Sequence, residues 1–173
     1  CGISILISPS SQASSEVKRM SDAIEHRGPD GSGVFSKDNV HLAHRRLAIV
    51  DLSTRGHQPM SYKERWVITY NGEIYNYKEL RVELEQLGHR FLTETDTEVL
   101  LAGFSQWGEA CLSKFNGMFA FAIYDQQNRK LFLARDRFGV KPLYFHRFKN
   151  GDLAFVSEIK QLTVHPNWSA NLN

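Results

Sequence analysis

Cys1-Gly2-Ile3-Ser4-Ile5-Leu6-Ile7 opens the sequence and joins a reactive thiol to an apolar run. The run at residues 3–7 predicts a β-strand that fixes the position of Cys1. We expect Cys1 to be the mature amino terminus, so that one residue carries a thiol and a free α-amine. Because an α-amine titrates near pH ~8, it would act as a base beside the nucleophilic thiolate. This is a known catalytic arrangement, and the alternative is that the sequence starts at Cys1 by accident.

The composition is typical of one globular domain, since 42% of the 173 residues are hydrophobic and 23% are charged. A net charge of +2 gives no preference for nucleic acid or for a membrane surface, so neither partner is expected. No apolar run approaches the ~18 residues of a membrane span. The two cysteines, Cys1 and Cys111, form no disulfide framework, which favours a cytoplasmic location.

Apolar spacing and turn residues predict the helices and strands. The predicted helices cover residues 17–24, 77–87 and 95–104. The predicted strands cover residues 3–7, 40–50, 66–70, 118–124, 131–134, 143–148 and 153–156. Asn76 is a predicted N-cap, Thr95-Asp96-Thr97-Glu98 a capping box, and Asn150-Gly151 a type I′ hairpin turn.

These elements predict an α+β domain. The strand at residues 118–124 is apolar on both alternating faces, so we expect it to be covered on both sides. Helices separated by blocks of hairpin-linked strands fit two packed sheets with helices outside. We place the domain at residues 1–163 and expect residues 164–173 to form a loose polar tail.

Asn71-Gly72-Glu73 is the strongest candidate for chemistry besides Cys1. An acyl-transfer enzyme needs donors directed at the developing oxyanion, and a side-chain amide with a glycine N–H would supply two. However, Asn-Gly between two apolar runs is also a very common hairpin turn. The dipeptide alone favours the turn.

Arg46 and Asp96 are candidate ligands for the two ends of an amino-acid head group. Arg46 lies in an apolar strand, where it pairs either with a protein carboxylate or with a substrate carboxylate. Asp96 opens a helix, where the helix dipole alone favours an acid, or else it pairs with a substrate ammonium. No metal site is predicted, since the histidines are scattered without a metal-binding motif. Arg135, Arg137 and Lys141 flank Phe138-Gly139 and predict a charged loop or a docking surface.

Several motifs occur in one fixed order that resembles a known family. They are Cys1-Gly2-Ile3, His26-Arg27-Gly28-Pro29-Asp30, Arg46-Leu47-Ala48-Ile49-Val50-Asp51, Gln58-Pro59, Asn71-Gly72-Glu73-Ile74-Tyr75-Asn76, Thr95-Asp96-Thr97-Glu98-Val99, Gly117-Met118-Phe119-Ala120-Phe121 and Arg135-Asp136-Arg137-Phe138-Gly139-Val140-Lys141-Pro142-Leu143-Tyr144. From residue 1 to about residue 162, the chain resembles the N-terminal glutaminase domain of class II glutamine amidotransferases. The branch it resembles is glutamine-hydrolysing asparagine synthetase.

The resemblance implies an N-terminal-nucleophile hydrolase fold, a four-layer αββα sandwich of two antiparallel sheets. It also implies that glutamine is hydrolysed through a glutamyl thioester, with no metal or organic cofactor. The implied catalytic residues are Cys1 as nucleophile and Asn71 with Gly72 as oxyanion hole. The implied glutamine-binding residues are Arg46, Leu47, Ala48, Ile49, Val50, Asn71, Gly72, Glu73 and Asp96. Of these, Arg46 would bind the α-carboxylate, and Asp96 with Glu73 would bind the α-ammonium.

Members of this branch continue into an ATP-dependent synthetase domain, whose Ser-Gly-Gly-x-Asp-Ser loop the sequence lacks. We expect an excised domain, with a stand-alone glutaminase as the alternative, so that ammonia passes to a synthetase domain in the same chain or in a separate partner. ATP and Mg²⁺ are expected only for that domain. A catalytically silent glutamine-binding or docking module, an ammonia acceptor other than aspartate, and homo-oligomer formation stay open.

Overall fold

The chain folds into two antiparallel β-sheets that pack face to face, with helices on the outer faces. A computed structural model describes residues 1–48 and 54–170. Its strands and α-helices, in chain order, are β1 (Gly2–Ile7), α1 (Ala13–Asp22), β2 (Gly31–Lys37), β3 (Val40–Arg46), β4 (Met60–Tyr62), β5 (Trp66–Ile74), α2 (Tyr77–Gln86), α3 (Asp96–Trp107), β6 (Gly117–Asp125), β7 (Lys130–Arg135), β8 (Tyr144–Arg147) and β9 (Leu153–Val156).

The first sheet places the strand that follows Cys1 at its centre. Its strand order is β2-β3-β1-β9-β8. Ile3 lies opposite His44 of β3, and Ile5 lies opposite both Leu42 of β3 and Phe155 of β9. Ile3 and Ile5 are fully buried. The predicted strand at residues 3–7 is therefore confirmed, and it is held by a neighbour on each side.

The second sheet has the strand order β4-β5-β6-β7. Its longest pairing joins β5 and β6, from Trp66 opposite Asp125 to Ile74 opposite Gly117. The Thr69 hydroxyl of β5 donates to the Ala43 carbonyl oxygen of β3 at 3.1 Å, which links the two sheets. The sheets are thus joined by a buried hydrogen bond as well as by apolar packing.

Three apolar clusters separate four layers. Ile3, Leu42, Val67, Ala120 and Tyr124 are buried in the cluster between the sheets. The cluster under α1 includes Val17, Met20 and Ala43. The cluster under α2 and α3 includes Leu84, Leu100 and Phe121. This αββα arrangement confirms the predicted α+β class, and none of the three α-helices in the described ranges is long and apolar enough to cross a membrane.

The Asn71-Gly72 pair lies inside a strand and not at a turn. Asn71 pairs with Ala120 and Gly72 with Phe119 in the β5–β6 ladder. A side chain at Gly72 would overlap the Met118 carbonyl oxygen of β6, so glycine is needed for close approach of the two strands. The turn favoured by the dipeptide alone is therefore wrong.

Two further local predictions need correction. The strand β2 was not predicted, because its alternating pattern of partly exposed small residues lacks an apolar run. The hairpin between β8 and β9 has a three-residue loop, since the Phe148 N–H donates to the Asp152 carbonyl oxygen and Gly151 alone has positive φ, at 93°. This is the loop with a glycine bulge rather than the predicted type I′ turn, which needs two positive φ values.

The start of α3 and the end of the domain also differ from expectation. Thr95 is the N-cap and accepts from the Glu98 N–H, but the Glu98 carboxylate binds the backbone of Leu92 and Thr93 instead of completing a capping box. The predicted loose tail is wrong near its start. His165 is buried there and its ring stacks on Phe148 at a centroid distance of 3.7 Å. The domain boundary at residue 163 stays a prediction.

Candidate active site

The backbone next to Cys1 is fixed by the last part of the domain. The Ile3 N–H donates to the Ser157 hydroxyl at 2.9 Å, and the Ser157 N–H donates back to the Ile3 carbonyl oxygen at 3.2 Å. The Gln161 amide donates to the Ile3 carbonyl oxygen and, at 2.6 Å, to the Ser4 hydroxyl. These buried bonds prevent β1 from shifting, so the residue in front of it has a defined position.

Cys1 and Arg27 exchange two hydrogen bonds. The Cys1 α-amine donates to the Arg27 carbonyl oxygen at 2.8 Å, and the Arg27 Nε–H donates to the Cys1 carbonyl oxygen, also at 2.8 Å. Glu158 in turn accepts from Arg27 Nη1 at 3.1 Å. The pKa of the Cys1 α-amine falls from 8.0 to about 6, because burial disfavours its charged form and Arg27 and Lys141 are also positive. The amine is therefore largely a free base at neutral pH.

The Cys1 thiol lies at the end of β3. Its Sγ atom is 3.3 Å from the Leu47 backbone nitrogen, which donates to it, and 3.6 Å from the Leu47 carbonyl oxygen. The turn at Gly28-Pro29-Asp30 supports this segment, since the Asp30 N–H donates to the Arg46 carbonyl oxygen and the Asp30 carboxylate accepts from the Ala48 N–H. The sulfur is thus held against the chain that follows Arg46.

An open cavity beside Cys1 gathers residues from five separate parts of the chain. Its volume is about 580 Å³, including the open solvent at its mouth. Of the predicted site residues, it is lined by Cys1, Arg46, Leu47, Ala48, Gly72, Glu73 and Asp96. Ile49 and Val50, which were predicted to bind glutamine, lie outside the described residues.

Arg46 is buried at the wall of this cavity. Its guanidinium packs against Gly56, where an added Cβ would lie 2.5 Å from Arg46 Nη2. Only glycine leaves room for the guanidinium at that point. The buried cation lines the cavity, where it could meet an anionic group of a ligand. Its pairing with a substrate carboxylate stays a prediction.

Asn71 does not line the cavity, but it is next to Gly72, which does. The Asn71 side chain is almost fully buried, and its Nδ2 donor has no hydrogen-bond partner among the described residues. A buried donor without a protein partner is unfavourable unless water or a ligand meets it. The side chain therefore fits a donor kept for a ligand.

Asp96 lies at the first turn of α3 and lines the same cavity as Arg46. Its Oδ2 atom accepts from the Tyr70 hydroxyl at 2.7 Å and from the Ile74 N–H at 3.0 Å. Burial raises the pKa of Asp96, and Glu73 adds to the rise, whereas the Ile74 and Tyr70 donors oppose it. An anionic group at this place suits a cationic ligand group.

Five lining residues were not predicted as site residues. They are Gly56, Gln58, Tyr70, Thr95 and Thr97. Gln58 joins two of them, because its Oε1 accepts from the Tyr70 N–H at 2.6 Å and its Nε2 is 3.4 Å from the Thr97 hydroxyl. Gln58, Thr95 and Thr97 stood in the recognised motifs, but no spacing rule connects them with the cavity. Their position depends on the packing of β5 against α3.

A second group of titratable residues is buried away from the cavity. The His165 Nε2 atom lies 3.7 Å from Glu16 and 3.5 Å from Asp152, and these three could hold a metal ion by proximity alone. The Asn167 N–H donates to His165 Nδ1, so a neutral ring carries its proton on Nε2, facing the carboxylates. A proton on Nε2 does not fit a metal-bound ring, because a metal-ligating histidine binds the metal through one nitrogen and donates from the other.

Comparison with known proteins gives a consistent result. A family model described as glutamine amidotransferase domain matches residues 1–173. Glutamine-hydrolyzing asparagine synthetase 3 of Bacillus subtilis (strain 168) is 44% identical over 165 residues, covering 94% of this chain and 26% of that protein. Asparagine synthetase 1 of the same organism is 48% identical over 153 residues, covering 87% of this chain and 24% of that protein.

A solved structure shares the fold. The glutamine phosphoribosylpyrophosphate amidotransferase from B. subtilis, complexed with ADP and GMP, superposes with a TM-score of 0.81 at 22% identity. The match covers 95% of this chain and 43% of that one. The two-sheet sandwich is thus an N-terminal-nucleophile hydrolase fold, as the sequence predicted. The chain spans about a quarter of the length of these two curated relatives.

Proposed function

Because the chain belongs to the glutamine amidotransferase domain family, we propose that Cys1 hydrolyses glutamine in this cavity to glutamate and ammonia. The observation that carries the proposal is the meeting of Cys1, Arg46 and Asp96 around one cavity, although they are far apart in sequence. A thiol, a buried cation and a buried carboxylate match the three polar parts of glutamine. These are the side-chain amide, the α-carboxylate and the α-ammonium.

Substrate binding would use two side chains of opposite charge that line the same cavity. Arg46 pairs with the α-carboxylate through its guanidinium, and Asp96 accepts from the α-ammonium. Glu73 lines the cavity near its mouth, where it adds a second negative charge for the ammonium. The side chain of glutamine then extends toward the Cys1 sulfur.

The reaction proceeds in two steps. The α-amine of Cys1 takes the thiol proton, and the sulfur adds to the amide carbon while Asn71 and Gly72 donate to the oxyanion. The C–N bond breaks, the α-ammonium returns the proton to the leaving nitrogen, and ammonia departs from a glutamyl thioester. Water then attacks the thioester carbon, and its C–S bond breaks to give glutamate and free Cys1.

The ammonia would pass to a synthetase domain, in the same polypeptide or in a separate partner. This part of the proposal is supported by the relatives, of which the chain matches only about a quarter. ATP and Mg²⁺ would be used by that domain and not by the cavity of Cys1. Aspartate is the acceptor that the names of the relatives favour, and the cytoplasm is the proposed location.

A loop near Cys1 offers a surface for that domain. Arg135 donates to the carbonyl oxygens of Gly139 and Lys141, so its charge holds the loop together. Phe138 is 93% exposed and Val140 is also exposed. Since exposed apolar side chains next to each other mark contact surfaces, the apolar tip rather than the basic residues would contact the synthetase domain.

The proposed function is tested by glutamate release from glutamine. Cys1→Ala should abolish release, because it removes the nucleophile and keeps the amine. Cys111→Ala is the matched control, since Cys111 is fully buried and burial raises the pKa of its thiol to about 12. Intact mass should show a free Cys1 and, with a diazoketone analogue of glutamine, one added label that Cys1→Ala loses. Retained activity in Cys1→Ala would refute the proposal.

A further inference from the structure

Tyr70 of β5 is fixed through both its main chain and its ring. Its N–H donates to Gln58 Oε1 at 2.6 Å, and its carbonyl oxygen accepts from His44 Nε2 at 3.0 Å. Its ring is buried in the cluster under α3 and lies against Gly72. Main chain and ring are therefore fixed on opposite sides, which gives the hydroxyl one position.

That position is on the Asp96 carboxylate. The Tyr70 hydroxyl donates to Oδ2 at 2.7 Å, and the Ile74 N–H donates to the same oxygen at 3.0 Å. Two donors on one oxygen fix both the rotation and the tilt of the carboxylate. A carboxylate has about four acceptor sites, so capacity remains for a ligand even with a further bond from the Thr97 N–H.

We propose that Tyr70 is a positioning residue that orients Asp96 toward the α-ammonium group of the amino-acid substrate. The inference rests on the proposed function, since it assumes that an amino acid occupies the cavity. It assigns Tyr70 a part in selecting substrates with a free α-amino group. Tyr70 does not touch the reacting amide, and its contribution passes through Asp96.

The chemistry of the pair supports this role. Burial, and then the negative charge of Asp96, hold the pKa of the Tyr70 phenol well above its usual range, so the hydroxyl stays a donor. A phenol that donates to a buried carboxylate favours the charged form of that carboxylate. Glu73 acts in the opposite direction and raises the pKa of Asp96. Without the hydroxyl, Asp96 would be both less fixed and less readily ionised.

The alternative is that the Tyr70 hydroxyl has only a structural role and satisfies its hydrogen bond within the core. Tyr62 provides the comparison, because it is buried in the same apolar cluster and its hydroxyl hydrogen-bonds His89 Nδ1 at 2.6 Å. It does not line the cavity of Cys1. Tyr62→Phe and Tyr70→Phe thus remove equivalent hydroxyls from the same core, and only the second touches Asp96.

The test compares glutamine with glutaramate, the same molecule without its α-amino group. In Tyr70→Phe we expect KM for glutamine to rise about 10-fold or more, because a hydrogen bond to a charged group is lost, with kcat within about 2-fold of wild type. With glutaramate, Tyr70→Phe and wild type should give the same kcat/KM. Tyr62→Phe should match wild type on both substrates.

Binding to Cys1→Ala, measured by calorimetry, repeats the comparison without turnover. Adding Tyr70→Phe should weaken glutamine binding about 10-fold and leave glutaramate binding unchanged. Equal losses on both ligands, or no loss on either, would overturn the role of Tyr70. If wild type neither hydrolyses nor binds glutamine, the proposed function itself fails. That result is distinguishable, because it appears before any Tyr70 variant is made.

Discussion

The Arg27 side chain donates to the Cys1 carbonyl oxygen at 2.8 Å while the Cys1 α-amine donates to the Arg27 carbonyl oxygen at the same distance. This reciprocal pair orients both the amine and the carbonyl of the proposed nucleophile. Glu158 fixes the other end of the guanidinium. The proposed base is thus held by a residue that does not line the cavity beside Cys1.

Replacing Arg27 should therefore separate catalysis from binding. We expect Arg27→Ala to lower kcat about 10-fold or more, since one hydrogen bond from a charged donor is lost, with little change in KM for glutamine. Arg129→Ala is the control, because Arg129 is 77% exposed and makes only a 3.9 Å ion pair with Asp38. A rise in KM without a fall in kcat would place Arg27 in substrate binding instead.

The pH dependence of kcat/KM should report the α-amine of Cys1, because kcat/KM reports the titrating groups of the free enzyme. An amine acts as a base when it is deprotonated, and its pKa is lowered to about 6. The value of kcat/KM should stay constant near neutrality and fall to half near pH 6 as protonation removes the base. A kcat/KM profile from about pH 5 to about pH 9 checks this. A midpoint near the ordinary value of 8.0 would show that the amine is not desolvated as the structure has it.

Asn71 should affect catalysis and stability in opposite directions. Asn71→Ala removes the proposed oxyanion donor, so we expect kcat to fall at least ~10²-fold. It also removes a buried donor without a partner, so the free energy of unfolding should stay equal or rise. Asn128→Ala is the control, since its amide donates to Asp125 in the β6–β7 turn. Steady-state kinetics and thermal melting measure the two effects. A normal kcat in Asn71→Ala would contradict the proposed role of Asn71.

Asp136 should stabilise the loop that presents Phe138. Its carboxylate accepts from the backbone N–H groups of Phe119, Phe138, Val140 and Lys141. Burial alone would raise the pKa of Asp136, but these donors hold it below its ordinary value. Asp136→Ala should cost about 2–4 kcal/mol of unfolding free energy at neutral pH.

The pH dependence of that loss has a definite sign. Because the folded pKa of Asp136 is depressed, its contribution is fully present above the unfolded pKa of about 3.9 and is lost as pH falls through the folded value. The stability difference between wild type and Asp136→Asn should therefore shrink in acid. Urea unfolding at neutral pH and in acid measures this difference. Glu79→Gln, on the exposed face of α2, is the control. A stability difference between wild type and Asp136→Asn that does not change with pH would mean that the charge of the Asp136 carboxylate does not stabilise the fold.

Local sequence patterns predicted elements where burial follows a simple period. The strand at residues 3–7 and the helix at residues 77–87 were found because their apolar residues repeat at the spacing of one buried face. The pattern failed for β2, an edge strand with little apolar surface. It also failed for Asn71-Gly72, where pairing with β6 overrides the local preference for a turn.

The site divides in the same way. The order of motifs predicted Cys1, Arg46 and Asp96, and the structure gathers them around one cavity. It could not predict Tyr70, because its partner lies 26 residues away on a different element. Such a contact depends on how β5 packs against α3, and neither periodicity nor a motif encodes that packing directly.

The central position of β1 in its sheet has a consequence for folding during synthesis. The ribosome makes β1 before its partners in β9, and before Ser157 and Gln161, which follow Ile3 by 154 and 158 positions. A nascent or truncated chain would thus contain Cys1 without the contacts that fix its position. The amine and the thiol of Cys1 gain their fixed positions only once nearly all of the domain has left the exit tunnel. Under the proposed function, an unfinished chain could not yet hydrolyse glutamine.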